Sequence, residues 1–116
     1  MESSFRVDVR SEDQTALVVV SGELDLASGP ALERELARAL ASPVRVLVID
    51  LRELEFIDST GLSILIKAHQ RAQAEGRRFA VVKGPSQVQR LLGLTGLEER
   101  LTLVDSPDEL LGVAGD

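Results

Sequence analysis

Val44-Arg45-Val46-Leu47-Val48-Ile49-Asp50-Leu51 and, shortly after it, Phe56-Ile57-Asp58-Ser59-Thr60-Gly61-Leu62 decide how this chain folds. The first stretch is an apolar, β-branched run of strand length, suited to a strand covered on both faces. The second stays apolar up to Asp58 and then changes period. Leu62, Leu65, Ile66 and Ala72 recur at helical spacing, and Gly76 stands where a left-handed residue closes a helix. A buried strand that runs through a polar turn into an amphipathic helix is the first half of a β-α-β unit.

The pattern repeats outward in both directions. Towards the N-terminus, Ser42-Pro43 stops a helix with Leu32, Leu36 and Leu40 inward and Glu33, Arg34, Glu35 and Arg38 outward. Ser28-Gly29-Pro30 starts that helix, with the Ser28 hydroxyl as the expected cap and proline in the first turn. Gly22 is expected to end a strand built on Ala16-Leu17-Val18-Val19-Val20. Phe5 to Arg10 alternates apolar and polar residues, and polar Ser11 to Gln14 turns it antiparallel onto that strand as an edge. Towards the C-terminus, Phe79 to Val82 reads as a strand, and Gly84-Pro85-Ser86 turns into a third helix with Val88, Leu91 and Leu92 inward. Leu101 to Val104 is a last strand. Ser106-Pro107-Asp108-Glu109 is a capping box that opens a fourth helix. The order β-β-α-β-α-β-α-β-α predicts one α/β domain over residues 1–116. Its sheet is mixed but mostly parallel, with one antiparallel edge strand and about four helices.

Composition removes several kinds of function. The 116 residues hold no cysteine and a single histidine, His69, so thiolate chemistry, disulfides and a histidine metal site are not expected. No catalytic, metal-ligating or cofactor-binding set is expected, and no cofactor. The net charge of −6 repels phosphate backbones and anionic lipid. Three phenylalanines, with no tyrosine or tryptophan, offer little for stacking bases. The first residues carry neither a basic region nor an apolar run, so no signal peptide is expected. The apolar runs are too short to span a bilayer. The expectation is a cytoplasmic protein that binds neither nucleic acid nor membrane.

Chemistry concentrates at the Asp58 turn, between a strand and a helix N-terminus. Asp58 is placed to cap the first backbone N–H groups, Ser59 to project from the first turn, and Gly61 to admit a close neighbour. Plain helix capping accounts for such a cluster. A phosphate on Ser59 is also physically available: it adds about −1.5 to −2 charges at pH 7, which a helix N-terminus tolerates. Other candidates have ordinary explanations. His69 flanks the apolar stripe of its helix, ten residues after Ser59 and thus about 15 Å along the axis, too far to serve as its base. Lys83-Gly84-Pro85-Ser86 lacks the order of a phosphate-binding loop. Arg77-Arg78 reads as a helix end, and Glu33, Glu35 and Arg38 as a solvated face.

Asp58-Ser59-Thr60-Gly61-Leu62 resembles the signature of the anti-sigma-factor antagonist (STAS) family. Gly22-Glu23-Leu24-Asp25-Leu26 with Ser28 and Pro30 resembles the segment those proteins carry before their first helix, and Thr95-Gly96-Leu97 resembles a later family feature. The resemblance spans nearly the whole chain. It implies a STAS domain whose unmodified form binds an anti-sigma factor serine kinase and so releases a sigma factor. Phosphorylation of Ser59, with Thr60 the secondary acceptor, switches binding off, and a PP2C-type serine phosphatase restores it. The resemblance further implies a partner-binding face of Asp58, Ser59, Thr60 and Gly61 with Asp25 and Ser28, and a monomer when free. Ser63 departs from the pattern, since relatives often carry a second glycine there. The competing reading keeps the domain as a scaffold or accessory subunit of a stress-sensing complex, a transporter or a lipid-trafficking partner, indifferent to Ser59. An enzyme of unknown reaction lacks any supporting residue set.

Overall fold

The computed structural model describes residues 5–108. Within them the elements are β1 (Arg6–Glu12), β2 (Thr15–Leu24), α1 (Gly29–Ala41), β3 (Val46–Ile57), α2 (Ser59–Ala74), β4 (Arg78–Val82), α3 (Ser86–Leu94), a single 3-10 turn (Leu97–Glu99) and β5 (Leu103–Val104). The expected single α/β domain is there, with three α-helices among the described residues rather than about four. Pro107 and Asp108 are helical, and the rest of the fourth expected helix lies outside the described residues.

The sheet order is β1-β2-β3-β4-β5, with β1 antiparallel to β2 and every other pair parallel. Strands that succeed one another in a single direction, joined by right-handed crossovers, put all their helices on one face. The main core is built that way. Ala16, Val18 and Val20 of β2, Leu47, Ile49 and Leu51 of β3 and Phe79 and Val81 of β4 pack against Leu32, Leu36, Leu65, Val88 and Leu92 of the three helices. The other face carries a smaller cluster of Val46, Val48, Ala80 and Val82, flanked by Leu17 and Val104. Asp50 lies buried in β3, its carboxylate held by the Arg52 guanidinium at 2.7 Å.

Three boundaries differ from the sequence reading. Gly22 does not end β2. It takes φ 85° inside the strand, beside register shifts at Val19/Ser21 and Gly22/Glu23, and pairing resumes to Leu24. A glycine inside a strand pattern marks an irregularity of this kind, since its free φ absorbs the extra residue. The two apolar stretches around β3 are one strand of twelve residues. In α2 the buried residues are Gly61, Leu62, Ile64, Leu65, Ala68 and Ala72, while Ile66 is only half-buried. Ile64 is recruited because α2 also faces α1: a Cβ added at Gly29 would lie 3.0 Å from the Ile64 Cδ1. At the end of α2, Gly76 has φ 70°. The Arg77 N–H reaches the Ala72 carbonyl and the Gly76 N–H the Gln73 carbonyl, the paired bonds of a Schellman stop.

Candidate functional site at the carboxyl ends of β2 and β3

β2 and β3 end side by side, with Glu23 opposite Phe56 and Leu24 opposite Ile57. The Asp58 N–H then donates to the Leu24 carbonyl at 3.2 Å, so the two loops leave the sheet together. Asp58 has extended φ/ψ and is the N-cap of α2. Its Oδ1 accepts from the Thr60 N–H at 2.9 Å and the Gly61 N–H at 3.2 Å, as expected. Ser59 is therefore the first helical residue. It is exposed, and its hydroxyl has no hydrogen-bond partner among the described residues. Thr60 is half-buried, its methyl 3.2 Å from where a Cβ on Gly29 would stand. Gly61 is fixed by packing: a Cβ there would meet Ile57 Cγ1 at 2.6 Å and Leu24 Cγ at 2.8 Å.

Asp25 and Ser28 build the neighbouring loop. Asp25 Oδ1 accepts from the Ala27 and Ser28 N–H groups, each at 3.0 Å. The Ser28 hydroxyl, only 8% exposed as a residue, donates to the Glu23 carbonyl at 2.7 Å and accepts from the Asp25 N–H at 2.9 Å. It makes no side-chain cap to α1, which corrects the expected helix-capping role. Its backbone is in the αR region, and the hydroxyl is spent on closing the loop instead. The structure thus brings Asp58, Ser59, Thr60 and Gly61 together on one turn. Asp25 and Ser28 lie in the adjoining loop, with Ser28 turned inward.

Several neighbours escaped the sequence reading. Leu26 is 76% exposed between Asp25 and Ser28, and Phe56 is 48% exposed two residues before Asp58. Two large apolar side chains left in water beside one polar turn are a feature of docking surfaces. Leu26 was legible only as part of a motif, and Phe56 hid inside a strand-like run. An open groove of about 320 Å³ runs from Ser59 and Thr60 past Ser63 and Ile64 to Lys67, with Glu33 of α1 on its far wall. Ser59, Ser63 and Lys67 stand four residues apart, a spacing visible in the sequence that puts them along one side of a helix.

The remaining candidates resolve simply. His69 is half-buried with its ring edge-on to Phe79 at 5.5 Å, away from Ser59. Arg77 is more than a helix end: its guanidinium donates to the carbonyls of Leu40, Ser42 and Val44, tying the exit of α1 to the start of β3. Gly84 approaches β3 so closely that a Cβ would sit 2.6 Å from the Leu51 carbonyl oxygen, as a packing turn requires. Thr95-Gly96 ends α3, with Gly96 at φ 75° and the Thr95 hydroxyl donating to the Leu91 carbonyl. Among the described residues no group of three or more acidic or histidine side chains is placed to hold a metal ion. No helix among them is long and apolar enough to cross a membrane. Among the described residues the strand order never reverses, so the sheet they form has no switch-point crevice of the kind in which α/β proteins bind small ligands. The carboxyl ends present a turn, a shallow groove and exposed apolar side chains, which suit a macromolecular partner.

Comparison with known proteins agrees. The anti-sigma-F factor antagonist RsfB of Mycobacterium tuberculosis is 34% identical over 113 residues, covering 97% of this chain and 92% of its own. The anti-sigma-B factor antagonist of Bacillus subtilis is 28% identical over 96 residues, 83% of this chain and 87% of its own. The crystal structure of an anti-sigma factor antagonist from Mycobacterium paratuberculosis superposes with a TM-score of 0.87 at 33% identity, covering 97% of this chain and 96% of that one. The STAS domain matches residues 6–110, and with likeness to such antagonists over nearly its whole length the chain belongs to the STAS domain family.

Proposed function

We propose that this chain is an anti-sigma factor antagonist that works by partner switching. Unmodified, it docks the carboxyl ends of β2 and β3 and the first turn of α2 on an anti-sigma factor that is also a serine kinase, and so frees a sigma factor. The kinase transfers a phosphoryl group from its bound ATP to the Ser59 hydroxyl oxygen. The hydroxyl proton leaves and ADP is released. A PP2C-type phosphatase hydrolyses the ester and restores binding. The setting is cytoplasmic, and at dilute concentration the free chain acts as a monomer.

The observation that carries this reading is the state of Ser59: exposed, without a hydrogen-bond partner among the described residues, and first in a helix whose next N–H groups are already taken by Asp58. A phosphate there benefits from the helix N-terminus, so the domain stays folded. It also stands beside the Asp58 carboxylate, inside a surface that the partner desolvates. A penalty of about 3 kcal/mol weakens binding roughly 100-fold. Leu26 and Phe56 supply apolar contact on either side. Asp25 and Ser28 contribute by holding the loop that presents Leu26. The relatives named above are antagonists of anti-sigma factors, which supports the same assignment here.

The test is a paired capture from the native host's lysate with Ser59→Ala and Ser59→Asp as baits. The reading expects an ATP-binding kinase retained by the first and lost from the second. Identical captures would reduce Ser59 to a helix start and sink the switch in favour of a scaffold role.

A further inference from the structure

β1 is the edge of the sheet, and among the described residues only β2 pairs with it. The opposite edge, β5, has two residues and little to offer another strand. β1 offers seven, Arg6-Val7-Asp8-Val9-Arg10-Ser11-Glu12. Arg6, Asp8, Arg10 and Glu12 are exposed, while Val7 and Val9 turn to the core side and are half-buried. Edge strands commonly carry charge as a guard against pairing, and a guard works by repelling a second copy of itself. This edge carries alternating signs, which does not repel.

Laid antiparallel on a copy of itself about Val9, the strand puts Arg6 opposite Glu12 and Asp8 opposite Arg10, then the same two pairs again on the other side of the axis. Val9 meets Val9. All seven residues overlap, and every charge faces its opposite. A slip of two residues in one direction sets Arg6 against Arg10 and Asp8 against Asp8. A slip in the other sets Asp8 against Glu12 and Arg10 against Arg10. A slip of one residue puts charged side chains on the valine face. Slips of four set Arg6 against Asp8 or Arg10 against Glu12 but pair only three residues of each strand. The full-overlap register alone joins all seven with every charge opposed, and a two-fold axis is the symmetry that such self-complementarity serves.

We propose that β1 is a homodimerisation edge: two copies join through it, extending the two sheets into one about an axis at Val9. The contact is small. One strand pair falls below the roughly 1,200 Å² of a stable interface, which puts the contact in the weak, transient class, and we set its dissociation constant on the order of 10⁻⁴ M. The chain is then monomeric when dilute and pairs when two copies are held close together, where effective concentrations reach millimolar. β2 separates β1 from β3, so pairing leaves the Ser59 turn free, and the inference stands whether or not Ser59 is phosphorylated.

The experiment uses the full chain, with amide NMR shifts followed from about 50 μM to about 1 mM, a range that brackets the expected constant. Two variants make the edge single-signed: R6E/R10E, acidic throughout, and D8K/E12K, basic throughout. The cross-strand neighbours of these positions on β2 are Ser21, Leu17, Val19 and Thr15, none of them charged, and the Arg10–Asp8 ion pair within β1 that each variant breaks is exposed and contributes little, so both variants keep the fold. Expected are concentration-dependent shifts over residues 6–12 in the wild type, at least about tenfold weaker self-association in each variant alone, and recovery in a 1:1 mixture. The recovery also proves that the variants are folded. A wild type with no shifts at 1 mM, variants that self-associate as well as the wild type, or a mixture that stays dissociated would each overturn the proposal.

Discussion

Replacing Gly61 by alanine should destabilise the domain although it adds one methyl group at a position where alanine is the better helix former. The added Cβ would stand 2.6 Å from Ile57 Cγ1, 2.8 Å from Leu24 Cγ and 2.9 Å from Leu24 Cδ2. Ordinary carbon contacts lie near 3.5–4.0 Å, so about 1 Å of movement is needed. Ile57 and Leu24 are fully buried ends of β3 and β2, and neither can step aside. Overpacking of this kind costs about 1–3 kcal/mol. Alanine returns something less than the ~1 kcal/mol of its interior helix advantage, because Gly61 sits in the first turn. The net loss is about 1–2 kcal/mol, or a fall of roughly 4–8 °C in Tm for a domain of this size. Urea denaturation of Gly61→Ala beside Gly93→Ala provides the comparison. At Gly93, inside α3, the nearest atoms to an added Cβ are the flexible end of Glu98 at 3.4 Å, so alanine there should stabilise by about 0.5 kcal/mol. A Gly61→Ala variant as stable as the wild type would refute the claim that close packing on Leu24 and Ile57 sets the position of the first turn.

Further tests address single interactions. Asp58→Ala removes the acceptor of two N–H groups and should cost about 1–2 kcal/mol in a denaturant titration. Arg77→Ala leaves three carbonyls at the α1–β3 junction without their shared donor and should cost about 2 kcal/mol. The exposed neighbour Arg78→Ala should change stability by less than about 0.5 kcal/mol in the same titration. Leu26→Ala and Phe56→Ala should leave stability within about 0.5 kcal/mol of the wild type, yet weaken capture of the anti-sigma factor by about tenfold, read by calorimetry.

The element order was legible because each period was clean. β1 alternates, β3 opens on the apolar run Val46-Leu47-Val48-Ile49, and Leu32, Leu36 and Leu40 mark α1 without competition. What stayed hidden depended on neighbours distant in sequence. Gly22 reads as a stop because glycine usually punctuates strands, whereas pairing with Leu54 carries β2 past it. Ile64 reads as off the stripe until α1 is placed beside α2. Ser28 carries the chemistry of a cap, but the Glu23 carbonyl and the Asp25 backbone claim its hydroxyl first. The Asp58 cap was readable because capping is local, confined to four consecutive residues. The exposure of Leu26 and Phe56 was not, since no period in the sequence says that an apolar side chain at a loop or strand end will be left in water.

The most direct test of partner switching is the affinity of one purified anti-sigma factor kinase for two forms of this chain: unmodified, and carrying phosphoserine installed at position 59 during synthesis. The account predicts micromolar or tighter binding for the first and binding about 100-fold weaker for the second, with both forms giving the same far-ultraviolet circular dichroism. Equal affinities for two equally folded forms would contradict it.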